Sequence, residues 1–201
     1  MVIGRLSWRG YLAPPSDSRQ KDTTTAKSIS HLHVKFDSIF VKARELAKPS
    51  FKNHYLETHV ARLTASFRHW TGRDLIDPGI PLDAQARNLY YAPFVVLSHD
   101  TAPDPLLSYA NKAGLRLFEL SWDELVAMPS RLTAQAPDQA ERSRLLATVT
   151  HRGFIADYSG VRITKSGRCF AIERATVWNL FDESGAPYGQ AATFADWRFI
   201  E

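Results

Sequence analysis

Cysteine is nearly missing from this chain. Cys169 stands alone among 201 residues, which excludes an internal disulfide and any zinc site built only from cysteines. Long apolar runs are missing too, and none approaches the roughly 18 residues that a membrane helix needs. The N-terminus carries no apolar segment of the kind that directs export. These absences predict a soluble, cytoplasmic protein. No glycine-rich phosphate loop is found, since Gly153, Gly160 and Gly167 sit where helix ends and hairpins are expected. No internal repeat is visible.

What is present describes a globular protein. Hydrophobic residues make up 44% and charged residues 23%, so the chain can bury a core and is not wholly disordered. The net charge of +4 is unevenly placed. Residues 1–80 hold 13 Lys and Arg against 7 Asp and Glu, and residues 81–201 hold 12 against 14. A nucleic-acid-binding core concentrates its positive charge on the folded surface. Here the folded half is slightly acidic, so at most weak, sequence-independent DNA binding is expected.

Three segments emerge. Residues 1–49 read as a flexible basic leader with a possible short helix at 34–47. Residues 50–91 read as a helical extension. Ser50 is placed to cap a helix whose Leu56, Val60, Leu63, Phe67 and Trp70 recur at spacings of 4, 3, 4 and 3, and Gly72 closes it. That stripe either docks on the chain's own sheet or forms the seam of a homodimer, and a homodimer is expected from it. A shorter helix at 83–91 follows.

From Phe94 the pattern changes. Phe94 to Leu97 and Leu106 to Ala110 read as a strand pair. Asn111 caps a helix, and Ser121 with Glu124 forms a capping box for the next. A short turn at Pro129 to Thr133 follows. Residues 138–151 make an amphipathic helix with Ala140, Leu145, Leu146 and Val149 inward. Strands at 154–163, 169–180 and 190–199 complete an α+β arrangement.

That order, with these residues, resembles the PAS fold. Tyr109-Ala110-Asn111-Lys112-Ala113, Leu117-Phe118 and Ser121 to Leu125 are similar to its second strand and first two helices. Asp182 to Gly185 with Tyr188-Gly189-Gln190 is similar to its last hairpin. More specifically, Ala92 to His99, Pro129 to Leu132, Asp157 to Arg162 and Ala175 to Leu180 resemble the MEKHLA family, a PAS-related domain. In plants that domain ends class III homeodomain–leucine zipper regulators, and in bacteria it occurs as a small stand-alone protein. The resemblance covers about residues 50–201. It implies a five-stranded antiparallel sheet with short helices on one face, preceded by an N-terminal helix. It also implies a non-enzymatic signalling or protein-interaction module over residues 92–201. The alternatives are a sensor with a small ligand in an apolar pocket and, further off, a DNA-linked regulator.

The residues limit the chemistry. Light-sensing PAS domains need a cysteine on the short turn to add to a flavin, and Pro129-Ser130-Arg131-Leu132-Thr133 has none. Ile172 and Phe194 stand where polar groups would read the flavin edge. His151 is poorly placed to ligate haem, and His54 and His59 are five apart rather than the four of a helical metal pair. No cofactor and no metal are therefore expected. Ser98, His99 and Asp100 are adjacent, and adjacent strand residues point to opposite faces, so they do not form a hydrolytic triad. A pocket, if present, should be lined by Phe94, Phe118, Ile172 and Trp178, with Arg131 and Arg174 as its basic residues. Strict alternation puts Phe170, Ile172, Arg174, Thr176 and Trp178 on one face. Arg174 is then either an anchor for an anionic ligand or the partner of Glu119, Asp123 or Glu124.

Overall fold

The computed structural model describes residues 47–200. The basic leader and the short helix at 34–47 fall almost wholly outside the described residues. The elements run in the order α1 (Glu57–Thr71), α2 (Leu82–Tyr91), β1 (Val95–His99), β2 (Leu107–Ala110), α3 (Lys112–Phe118), α4 (Trp122–Val126), α5 (Ala136–Arg152), β3 (Phe154–Ile163), β4 (Cys169–Phe181), β5 (Pro187–Phe194) and β6 (Asp196–Phe199). Ser50 opens a 3-10 turn over Phe51–Leu56 rather than the helix itself, and its N–H donates to the Asn53 side chain at 2.8 Å. Leu56 therefore precedes α1. A second 3-10 turn, Ser130–Thr133, sits before α5.

All strand pairs are antiparallel, in the spatial order β2-β1-β5-β4-β3. The third strand of the C-terminal meander bends at Ala195. Its first part, β5, lies between β1 and β4, while β6 pairs with β4 alone. The bend has a counterpart in β4, where Arg174 takes a left-handed φ of 52°. Gly160 lies opposite Ile172 and Tyr158 opposite Ala175, so β4 spends one extra residue there. Asp157, at φ 58°, makes the compensating extra residue in β3. A bulge of this kind shifts the two-residue alternation by one position.

The sheet is covered on both faces. On one face, α1 lays Val60, Leu63 and Phe67 against Val96, Trp178 and Leu180, all at most 5% exposed. Phe67 meets the Trp178 ring edge-on at 5.0 Å. His59 Nε2 lies 3.0 Å from Ser98 Oγ and its ring stacks on Tyr109, which also seats α1. Trp70 donates from Nε1 to the Asn179 carbonyl at 2.9 Å. Its indole occupies the space where a Cβ on Gly153 would stand, and Gly153 closes α5 at φ 91°. On the other face, α3 brings Leu117 and Phe118 against Val95, Phe170, Ile172 and Phe194.

Asn111 joins the two halves. It is fully buried, and its side chain accepts from Gly114 N at 3.0 Å to cap α3 and from Val96 N at 3.1 Å. It donates to the Phe94 and Leu89 carbonyls at 2.7 and 3.2 Å. One side chain thereby ties α2, β1 and α3 together. Ser121 and Glu124 form the capping box that the sequence predicts at α4.

The apolar stripe of residues 56–70 is thus consumed by the chain's own sheet. It does not form an exposed dimer seam, because Val60 and Leu63 keep no exposed surface to offer a second copy. Leu63→Ala should lower unfolding free energy by about 2–5 kcal/mol, as deletion of a fully buried leucine side chain does. Urea unfolding combined with light scattering checks this. A variant that keeps its stability but loses mass would return the stripe to an interface.

Candidate functional site

Between the sheet and α5 lies a small enclosed cavity of about 50 Å³. Its floor comes from the sheet, with Leu97, Ile172, Ala175, Val177, Ala192 and Phe194. Phe118 closes one end, and Arg142, Leu145 and Leu146 of α5 form the roof. Those three recur at helical spacing, so one face of α5 points inward. Tyr158 and Arg162 of β3 complete the wall. They share a face with Gly160 between them, and a Cβ at Gly160 would collide with the Tyr158 hydroxyl.

The charge in this wall is one-sided. Arg162 is 7% exposed and spends its donors on neutral groups, the Val161 carbonyl at 2.6 Å and the Tyr158 hydroxyl at 3.1 Å. Arg142 is half-buried. Burial, and after it the nearby Arg162 charge, pushes its guanidinium down to about 10, so it stays protonated at neutral pH. Neither arginine forms an ion pair with a described Asp or Glu. Glu141 comes closest to the group, with its carboxylate 3.5 Å from the Tyr158 hydroxyl on the solvent side.

A polar clamp holds the C-terminal half of α5 on the sheet. Asn179 donates to the Val149 carbonyl at 2.9 Å. Gln190 donates to the Leu146 carbonyl at 3.1 Å, to Thr150 Oγ1 at 3.1 Å and to Asn179 Oδ1 at 2.9 Å. His99 lies beside Gln190 on the neighbouring strand. Burial lowers its pKa from the usual histidine value, and the charge on Arg142 adds to the effect. A larger open groove of about 530 Å³ adjoins this clamp, between Pro105, Thr150, Phe181 and Pro187. Its acid, Asp100, already accepts the Ala102 and Leu106 N–H groups at 3.1 and 3.0 Å and so serves the turn.

Several residues expected at a pocket stand elsewhere. Phe118 and Ile172 line the cavity. Trp178 does not, because the bulge at Arg174 turns it to the α1 face. Phe94 packs against the same α1-side cluster. Arg174 lies in solvent with its side chain 71% exposed, paired with Asp196 at 2.7 Å, so neither the anion anchor nor the buried pair describes it. Arg131 is also at the surface, paired with Asp104 at 3.1 Å. Ala140 is exposed, and Arg142 takes the inward position instead. Arg142, Tyr158 and Arg162 were missed. Their signals were present: Arg142 heads the series Arg142, Leu145, Leu146, Val149, and Tyr158 alternates with Gly160 and Arg162.

The serine and histidine at the end of β1 do not form a hydrolytic pair. Ser98 and His99 face opposite sides of the sheet, and Ser98 is 1% exposed beneath α1. The cavity is far below the roughly 300 Å³ at which pockets for drug-sized ligands begin, so a flavin or haem does not fit between these side chains. Among the described residues no three His, Cys, Asp or Glu side chains gather as a metal site, and no helix is long and apolar enough to cross a membrane.

The strand order, with α3 and α5 over one face of the sheet and a small cavity beneath them, defines a PAS-type domain. The chain superposes on the PAS domain of a protein from Colwellia psychrerythraea with a TM-score of 0.50 at 18% identity, over 59% of this chain and 96% of that one. An RNA-binding Light-Oxygen-Voltage receptor also gives 0.50, at 21% identity over 59% of this chain and 34% of the receptor. Both likenesses concern the fold. Within that class the chain belongs to the MEKHLA domain family, whose model matches residues 57–199. Relatives include the homeobox-leucine zipper proteins ATHB-9 and REVOLUTA of Arabidopsis thaliana. They are 27% and 25% identical over 151 and 147 residues, or 71% and 69% of this chain. The matched stretch is only 18% and 17% of those proteins.

Two predictions follow from these placements. Arg174→Met should leave thermal unfolding close to that of the unaltered protein, since an exposed ion pair contributes little; a large loss would return Arg174 to the core. His99 gives a pH dependence with a definite sign. Its folded pKa lies below its unfolded value of about 6.5, so the unfolded chain takes up the proton first. Its contribution to stability is complete above about pH 6.5 and declines as the pH falls from there towards the folded pKa. Urea unfolding at pH 5 and pH 7.5 should show this decline, and His99→Gln should reduce it. An equal decline in the variant would show that His99 is not its source.

Proposed function

We propose that this chain is a non-enzymatic sensing module that acts in the cytoplasm. It responds to what occupies the cavity under α5 and passes that state to a protein partner through α5. The observation that carries this reading is the seating of α5. Of its described side chains only Val149 is fully buried, and the helix covers a small cavity through Arg142, Leu145 and Leu146. The polar clamp holds the half from Leu146 onward. The half before it rests over the cavity through Arg142 and Leu145. A helix with so little buried surface is easily shifted, and a few added contacts beneath it change its position or its opening. Glu141, Arg144 and Arg152 are exposed on the helix and present charge to a partner.

Coupling between cavity and helix can be tested without knowing the ligand. Ala192→Val adds two methyl groups at the cavity floor and so imitates occupancy. Hydrogen exchange of the full chain should then slow in residues 138–146 of the variant, with the outer strands β2 and β3 unchanged. If α5 exchanges at the original rate in a normally folded variant, the cavity and the helix are not coupled and the sensing reading fails.

A further inference from the structure

The two arginines of the cavity wall form no ion pair among the described residues. A core built for stability alone fills such a space with apolar side chains, because a buried charge without a partner is costly. Here Arg142 and Arg162 line the same small cavity, and neither forms an ion pair with a carboxylate among the described residues. Arg162 is fixed rather than loose, with its donors on the Val161 carbonyl and the Tyr158 hydroxyl. The absence of a side chain at Gly160 leaves the room that Tyr158 needs beside it. A pair of arginines on one small cavity, neither in an ion pair among the described residues, is complementary to an anion.

We propose that Arg142 and Arg162 form a binding site for a short-chain monocarboxylate held inside the PAS-type core. The site rests on the reading of this cavity as the sensing site and adds the chemical class of what is sensed. A guanidinium presents parallel N–H donors that match the two oxygens of a carboxylate. Beside the polar Thr133 and Tyr158, the wall is mostly apolar, with Phe118, Ile172, Val177 and Phe194 suited to a short hydrocarbon end. The volume of about 50 Å³ limits the ligand to a few heavy atoms, on the scale of acetate or propionate. Binding relieves the repulsion between the two cations and replaces their lost water with charge-assisted hydrogen bonds.

The test is calorimetric titration of the full chain with sodium propionate at constant ionic strength, alongside propionamide, a neutral ligand of the same shape, and sodium nitrate, a planar anion without a hydrocarbon end. Propionate should bind saturably at one site, with propionamide at least about tenfold weaker, the factor expected from losing hydrogen bonds to a charged group. Nitrate binding as tightly as propionate would overturn the assignment to carboxylates and leave a general anion site. Arg142→Met should weaken propionate by about tenfold or more, and Arg142→Lys should restore part of it. Arg142 is half-buried, so this pair reports on the site even if Arg162→Met does not fold. Propionate binding that is unaffected by Arg142→Met, or no binding at tens of millimolar, overturns the proposal. Hydrogen exchange of α5 separates the two claims. Protection by propionamide equal to that by propionate keeps the sensing reading and removes the anion site. Propionate binding that depends on Arg142 but leaves α5 exchange unchanged keeps the site and removes the sensing reading.

Discussion

The left-handed turn of the backbone at Arg174 decides what each face of the sheet holds. It inserts one residue into β4, and the matching insertion at Asp157 keeps β3 in register on either side. Before the bulge, Phe170 and Ile172 face the helices α3 and α5. After it, Ala175 and Val177 do, while Trp178 and Leu180 turn to α1. Without the shift, Trp178 would enter the cavity and Val177 would meet α1. A non-glycine residue in this conformation is strained by roughly 1–3 kcal/mol. The strain is accepted where the sheet changes partner, at the point where β5 ends and β6 begins.

Two cores of different character follow from that change. The one under α1 is aromatic, built on Phe67, Trp178 and Tyr109, and fully buried leucines and valines surround it. The one under α3 and α5 is smaller and retains a cavity with charge in its wall. The contrast lies in how the covering helices are seated. α1 brings three fully or nearly fully buried apolar residues to the sheet, whereas α5 brings one and relies on Asn179 and Gln190 for the rest. Rigid packing on one face leaves the other face as the place where the fold can yield.

The polar residues of the interior are not scattered. Asn179 and Gln190 face each other across β4 and β5 and together satisfy carbonyls on α5. His99 lies next to them on β1. Asn179 and Gln190 form a hydrogen-bonded pair at one end of the helix, with His99 beside them, and the arginines stand towards the other. The half of α5 that carries Arg142 is the half that this pair does not hold.

Most of the architecture was legible in the sequence because it depends on local chemistry. Asn111 and Ser121 announce helix starts through side chains that cap their own backbone. Gly72 and Gly153 mark helix ends through conformations that favour glycine. The stripe of α1 follows from helical spacing. What strict alternation could not anticipate is the extra residue in β4. Its conformation at Arg174 is dictated by pairing with strands far away in the chain, and no glycine marks it. The placement of Trp178 and Arg174 was therefore a tertiary matter. So was the choice between a dimer seam and an internal core for α1, since the spacing of an apolar stripe records that it is buried and not what buries it.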